Sequence, residues 1–411
     1  MAHPPLEDAL AHRIAAQGKI TFAEFMALAL YWPNGGYYSR DAAPGRARDY
    51  FTAPMTHPAF GALLALQLEE MWALLDRPDP FVVVEPGAGA GQLARDILGY
   101  ARYLNASFLR SLRYLVVERA PASFRSATSE SAAQGIIATG LPLRNLTGCI
   151  LSNELLDALP VHRVVLRNGQ LREAYITFDD DRFQEVEDKP STPRLETRLE
   201  EEDVRLEEGQ RAEVCLEMEE WTQQVASGLH RGFVLTMDYG HEAPDLYSAA
   251  RRQGTLRCYF RHTLSANPYV RVGEQDITAH VDFTAVAVQG ARRGLLSLPL
   301  QTQASFLNNL GLQLYQRRLA GAGLGQRERD ANRMAMLELA RPGGMGEFKV
   351  LVQTKNVAAE AITGVHGALE QWKARLAQLP QPLLDEDHLS LMEARYPHAA
   401  QAWEQWPQGG A

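Results

Sequence analysis

The chain has 411 residues, 46% hydrophobic and 22% charged, which is the composition of a folded globular protein with room for two or three domain-sized units. A formal net charge of −9 and the lack of any long Lys/Arg block disfavour a dense basic face, so no nucleic-acid partner is expected. No apolar run reaches bilayer-spanning length, and Cys149, Cys215 and Cys258 suggest neither a disulfide framework nor a zinc knuckle, so no membrane span and no metal are expected.

The N-terminus has no apolar signal core and carries Glu7 and Asp8, unlike an Arg-rich, acid-poor transit peptide. With reduced-looking cysteines, this favours a cytoplasmic location. Residues 1–78 read as a helical region. LEDALAHRIAAQ, FAEFMALALYW and GALLALQLEEMWALL have helical apolar spacing. Between the second and third lies an aromatic, Gly- and Pro-rich segment that contains Tyr37, Tyr38 and Phe51 and reads as a long loop.

From residue 81 strands and helices alternate. FVVVE, RYLVVER, GCILSNE and GFVLTMDYG are short apolar strands, with helices GQLARDILGYARYL and APASFRSATSESA after the first two. Alternation of this kind predicts a parallel sheet with helices on both faces. Residues 161–230 interrupt it. Asn168-Gly169 sits between two strand-like runs and predicts an antiparallel hairpin inserted between parallel strands. The acidic run LETRLEEEDVRLEEG reads as a solvated surface or linker. EFKVLVQTK reads as a late sheet strand, and residues 357–411 as a helical appendage. The expected organisation is a helical region over 1–78, an α/β core over 79–160 and 231–356, and an inserted subdomain between the two core segments.

The stretch Glu85-Pro86-Gly87-Ala88-Gly89-Ala90-Gly91 joins the first strand to its helix. Glycines let backbone amides approach a ligand, and the helix start offers free N–H groups and a partial positive charge. Gly89 to Ala94 fits the G-x-G-x-x-A dinucleotide pattern, which keeps a nicotinamide oxidoreductase in view. The longer frame fits E-x-G-x-G-x-G, the first motif of class I methyltransferases. Glu85 would repel a pyrophosphate but suits the sulfonium and ammonium groups of S-adenosyl-L-methionine. Glu118, at the end of the second strand, suits a ribose diol in either cofactor. A tight turn with no ligand would use the same glycines.

Ser152, Asn153, Glu154 and Asp157 lie just past the apolar part of the strand GCILSNE, at the sheet edge that carries the glycine loop. A helix start capped by Asn153 accounts for them without a ligand. Carboxylates spaced this way also suit a planar, permanently charged guanidinium, which they would orient toward a methyl donor.

Four segments together resemble the MidA family of class I methyltransferases: FMALALYWPNGGYYSR with RDYFTAP, EPGAGAGQLARDIL, SNELLDALPVHR, and MDYGH with GEQDITAHVDFTAV. Ala88 replaces the family's proline, Arg48 its glycine and Tyr50 its phenylalanine. The likeness spans about residues 15–355. The family's mitochondrial members are arginine methyltransferases that act in assembly of respiratory complex I. The resemblance implies a Rossmann-like fold and S-adenosyl-L-methionine held by Glu85, Gly87, Gly89, Gly91, Glu118 and Asn153. It implies Asn153, Glu154 and Asp157 near the methyl, and a lid over the cofactor that carries Thr52 and Pro54. It also brings His280 and Asp282 toward the acceptor, although a structural histidine would explain His280 as well. The implied partner is an arginine-bearing protein, with a homo-oligomer left open. A small-molecule or O-methyl acceptor and a non-catalytic assembly factor are the competing readings.

Overall fold

A computed structural model of the chain describes residues 5–39, 52–119, 133–180, 182–260, 263–265, 267–358, 361–367, 370–385 and 388. The expected helix over 120–132, residues 48–51 of the expected lid with Arg48, Tyr50 and Phe51, and the tail beyond 388 lie outside the described residues.

The first helices are α1 (Leu6–Gln17), α2 (Phe22–Tyr31), the short α3 (Ala53–Thr56) and α4 (Ala59–Leu74), with the two-residue strand β1 (Ile20–Thr21) ahead of α2. Then come β2 (Phe81–Pro86), α5 (Gln92–Ala101), β3 (Leu112–Glu118), β4 (Gln134–Ile137) and β5 (Leu146–Asn153). The insertion supplies β6 (His162–Arg167), β7 (Gln170–Asp179), β8 (Arg182–Asp188), α6 (Arg194–Glu201), β9 (Arg211–Val214) and α7 (Glu217–Gly228). The chain returns to the core with β10 (Leu229–Asp238). It continues through β11 (Arg257–Phe260), β12 (Thr263–Ser265), β13 (Asp276–Thr278), α8 (Phe283–Ala291) and β14 (Lys349–Lys355).

The central sheet runs β4-β3-β2-β5-β10-β14. Its first five strands are mutually parallel: the four expected ones and β4, which the sequence reading did not place. The departure is at one edge, where β14 is antiparallel to β10, and short segments at Leu296–Ser297 and Gln301–Thr302 are antiparallel to β14. The pleat sorts the apolar runs between two faces. Val83, Val116, Leu151 and Leu235 face a core with α4 and α5, while Val84, Val117, Ile150 and Val234 face one with α7.

The hairpin forms at Asn168-Gly169, both at positive φ (51° and 69°), with Arg167 opposite Gln170. The four strands of the insertion form, with β1, a five-stranded antiparallel sheet. Helices α1 and α2 join a separate core with Ile176 of β7, Cys258 and Ile277, so the helices of 1–78 contribute to two cores. The acidic run is no linker. Leu195 and Leu199, one turn apart, are buried on α6, and the buried Arg198 pairs with Glu202 (3.4 Å) and Glu219 (2.7 Å).

Candidate functional site

The strand order reverses at β2: β3 and β4 lie to one side, β5 and β10 to the other. The crevice beyond the carboxyl ends of β2 and β5 is therefore a topological switch point, the usual ligand position in an open α/β sheet. The glycine loop and the Asn153–Asp157 turn both occupy it.

Gly87, Gly89 and Gly91 have φ of 70°, 60° and 77°, a region that side chains rarely enter. A Cβ on Gly87 would sit 2.7 Å from Leu155 Cδ1, so the loop packs directly on the acidic turn. A Cβ on Gly89 would meet nothing within 4 Å, which leaves open space for a guest. Gly91 starts α5, whose first turn has no side-chain cap. Its leading N–H groups are free to meet an anionic group. Glu118 accepts a hydrogen bond from the Gly89 amide, and burial pushes its carboxyl up to about 7. Glu85 is tucked beneath the loop at 4% exposure, where the Tyr114 hydroxyl donates to it at 2.7 Å. Burial lifts its carboxyl to about 8.

The acidic turn is held in an unusual shape. Glu154 has φ 48°, uncommon for a non-glycine residue, and its N–H donates to Met237 O of β10 (2.8 Å). Its Oε1 accepts from Asn153 Nδ2 (3.1 Å) and from the Ala53 amide (3.3 Å), which brings Thr52 and the buried Pro54 beside the expected catalytic acid. Burial, then the nearby Asp157 charge, pushes Glu154 up to about 8. Asp157 is 6% exposed; its Oδ2 accepts from the Tyr239 hydroxyl, whereas its Oδ1 is buried with no hydrogen-bond partner. Burial raises it to about 6.

Several neighbours escaped the sequence reading. Asp238, fully buried at the end of β10, accepts at Oδ2 from the amides of Leu155 (3.1 Å), Leu156 (2.8 Å) and Asp157 (3.3 Å), and at Oδ1 from Tyr239 N (2.9 Å). Tyr31 of α2 donates to Ala158 O (2.7 Å) and lies under Arg119, whose Cζ is 4.5 Å from the ring centroid. Asp276 of β13 accepts from Tyr38 (2.9 Å). The available signal was positional: MDYGH ends a core strand at the same sheet edge as the glycine loop.

His280 reaches the site through its neighbours. Ala279 N donates to Asp157 O (3.0 Å), and the His280 ring meets Tyr239 edge-on at 5.4 Å while stacking on His241 at 5.3 Å. Its Nδ1 is buried without a hydrogen-bond partner, and burial lowers the imidazole to about 4, so the ring is neutral near pH 7. Asp282 does not join the turn. It caps α8 by accepting from Ala285 N (3.0 Å) and faces Glu202. Among the described residues, no group of three or more His, Cys, Asp or Glu could hold a metal ion. No described helix is long and apolar enough to cross a membrane.

The model of a family described as S-adenosyl-L-methionine-dependent methyltransferase matches residues 63–299, more than half of the chain. The chain belongs to the MidA family of class I methyltransferases. It is thus an S-adenosyl-L-methionine-dependent methyltransferase. A MidA-family relative from Drosophila melanogaster, the mitochondrial protein arginine methyltransferase NDUFAF7 homolog, is 30% identical over 319 residues, 71% of each chain. Human mitochondrial protein arginine methyltransferase NDUFAF7 is 28% identical over 347 residues, 75% of this chain and 74% of that one. A crystal structure from Burkholderia thailandensis, bound to S-adenosyl-homocysteine, superposes with a TM-score of 0.76 at 28% identity, over 89% of this chain and 96% of that chain. These relatives overturn one expectation. The Drosophila and human relatives are mitochondrial by name, which contradicts the cytoplasmic location inferred from the N-terminus and the cysteines. Composition near a terminus is a weak guide to compartment.

Proposed function

We propose that the chain transfers a methyl group to an arginine side chain of a protein, the activity named for its relatives. The family resemblance extends the proposal to a subunit or assembly intermediate of respiratory complex I as the acceptor. The observation that carries it is the buried carboxylate cluster of Glu154, Asp157 and Asp238: burial first, and then the charge of Asp157, pushes the Glu154 and Asp238 carboxyls toward the neutral form. A guest cation relieves that repulsion, and a guanidinium offers planar paired N–H donors that match carboxylates.

The donor fits the other half of the crevice. Glycine-loop amides and the uncapped start of α5 suit the carboxylate of S-adenosyl-L-methionine, Glu118 its ribose hydroxyls, and Glu85 the electrostatics of its cationic end. Asn153 lies between the two halves through its bond to Glu154. When bound, the donor supplies a methyl whose carbon–sulfur bond breaks with its electron pair left on sulfur. Glu154 and Asp157 hold the guanidinium so that one nitrogen faces the methyl, and positioning of this kind removes much of the barrier. As that nitrogen forms its bond to carbon it gives up one proton, for which an ionised carboxylate of the turn is the nearest acceptor. His280, neutral at pH 7 and one ring away, is a second. The Ala53 amide, which donates to Glu154 Oε1, belongs to the segment that would form a lid over the cofactor.

Tritiated-methyl labelling of a lysate with the purified protein, followed by mass spectrometry, tests the reading. Label on methylarginine supports it; label only on small molecules, or on hydroxyl or carboxyl oxygens, refutes it.

A further inference from the structure

Three residues from two chain segments, Asp157, Asp238 and Tyr239, close a hydrogen-bonded ring. Asp238 takes the Asp157 amide at Oδ2 and the Tyr239 amide at Oδ1. The Tyr239 hydroxyl then returns to Asp157 Oδ2. The tyrosine ring has little freedom, since it is flanked by His280 at 5.4 Å (80° between planes) and Phe348 at 5.4 Å (48°). One carboxylate oxygen is therefore engaged from a fixed direction. The other, Oδ1, is left buried and without a hydrogen bond in a residue only 6% exposed. An unpaired buried carboxylate oxygen is costly unless a donor arrives.

We infer that Tyr239 is a positioning residue for the methyl acceptor: it locks Asp157 so that the second oxygen, Oδ1, is presented to an N–H of the incoming guanidinium. The inference rests on the reading under Proposed function. Loss of the hydroxyl would let the carboxylate rotate and would remove the largest of the hydrogen bonds that favour its ionised form. The groups that face Asp157 are Glu154 and Asp238, with the phenols of Tyr31, Tyr239 and Tyr259.

The test is calorimetric binding of arginine amide to the S-adenosylhomocysteine-loaded protein between pH 5 and 9, for wild type, Tyr239→Phe and Asp157→Asn. Tyr239→Phe is expected to weaken arginine amide about tenfold, the effect of one lost hydrogen bond to a charged group. It should also move the acid-side midpoint of binding upward and leave S-adenosylhomocysteine affinity unchanged. An unchanged affinity and midpoint in Tyr239→Phe, with binding lost in Asp157→Asn, overturns the role of Tyr239 alone. If S-adenosylhomocysteine binding is lost too in Tyr239→Phe, the tyrosine is a strut of the fold and the inference fails. Wild-type binding in Asp157→Asn, or none in the wild type, overturns the guanidinium reading beneath it.

Discussion

Replacing Glu154 by glutamine should make the protein more stable and nearly inactive. The substitution keeps the shape and leaves an Oε1 to accept from Ala53 and Asn153, so it removes little but a charge. In the folded chain burial raises the carboxyl from its ordinary 4.5 to about 8. The unfolded chain ionises near 4.5, so between these values the folded state holds a proton that the unfolded state has released, and folding is penalised. At pH 7 that penalty is about 3 kcal/mol, and glutamine removes it. For a chain of 411 residues this is worth about 3 °C in melting temperature. The sign is fixed by the direction of the shift: the gap between variant and wild type should vanish below about pH 4.5, widen up to about pH 8 and stay level above. Scanning calorimetry of the ligand-free proteins at pH 5 and 8.5 measures it. Methyl transfer should fall about a hundredfold, as it does when a positioned charge at a reacting centre is lost. Equal melting temperatures at both pH values, or a variant as active as wild type, would refute the reasoning.

Three further outcomes follow from the same geometry. Gly87→Ala puts a Cβ 2.7 Å from Leu155 at φ 70°, and should cost about 1–2 kcal/mol in stability while abolishing S-adenosylhomocysteine binding by calorimetry; tight binding in a folded variant contradicts the loop assignment. Affinity for S-adenosylhomocysteine should fall as pH drops through about 7, where Glu118 takes up a proton, and Glu118→Gln should flatten that profile; a wild-type profile already flat from pH 5.5 to 8.5 removes Glu118 from the ribose site. Asp238→Ala strands the amides of Leu155, Leu156, Asp157 and Tyr239, so denaturant melts should place it about 2 kcal/mol below Asp238→Asn, which keeps one oxygen for the turn; equal midpoints would show that the carboxylate does not hold it.

How much of this was legible beforehand depends on the range of the signal. The Asn168-Gly169 hairpin, four of the five β-strands of the parallel core and the glycine loop are written in adjacent residues and appear where expected; the short β4 was not read. The antiparallel direction of β14 is not a local property: an apolar run such as KVLVQ carries no direction, which is set by the chain path before it. α6 was hidden by its charge, because two leucines a turn apart decide its buried face while the surrounding glutamates dominate the composition. In the site, Glu154 and Asp157 announce themselves as acids beyond a strand. Asp238 and Tyr239 act on them from more than 80 positions away, and only the pairing of β5 with β10 brings the two together. Asp282 misled because its motif neighbour His280 does reach the site, whereas the aspartate one residue past Val281 turns away to cap a helix.

That pairing has a consequence in time. A ribosome delivers Glu154 and Asp157 long before it delivers Asp238, and β10 is not flanked by β14 until residues 349–355 emerge. Until β10 and the residue after it are made, Glu154 lacks the Met237 carbonyl that holds its backbone, and Asp157 lacks both Asp238 and Tyr239. A half-made chain thus carries every glycine of the loop after β2 without a shaped acidic turn beside it, and the crevice is complete only when synthesis of the core is well advanced.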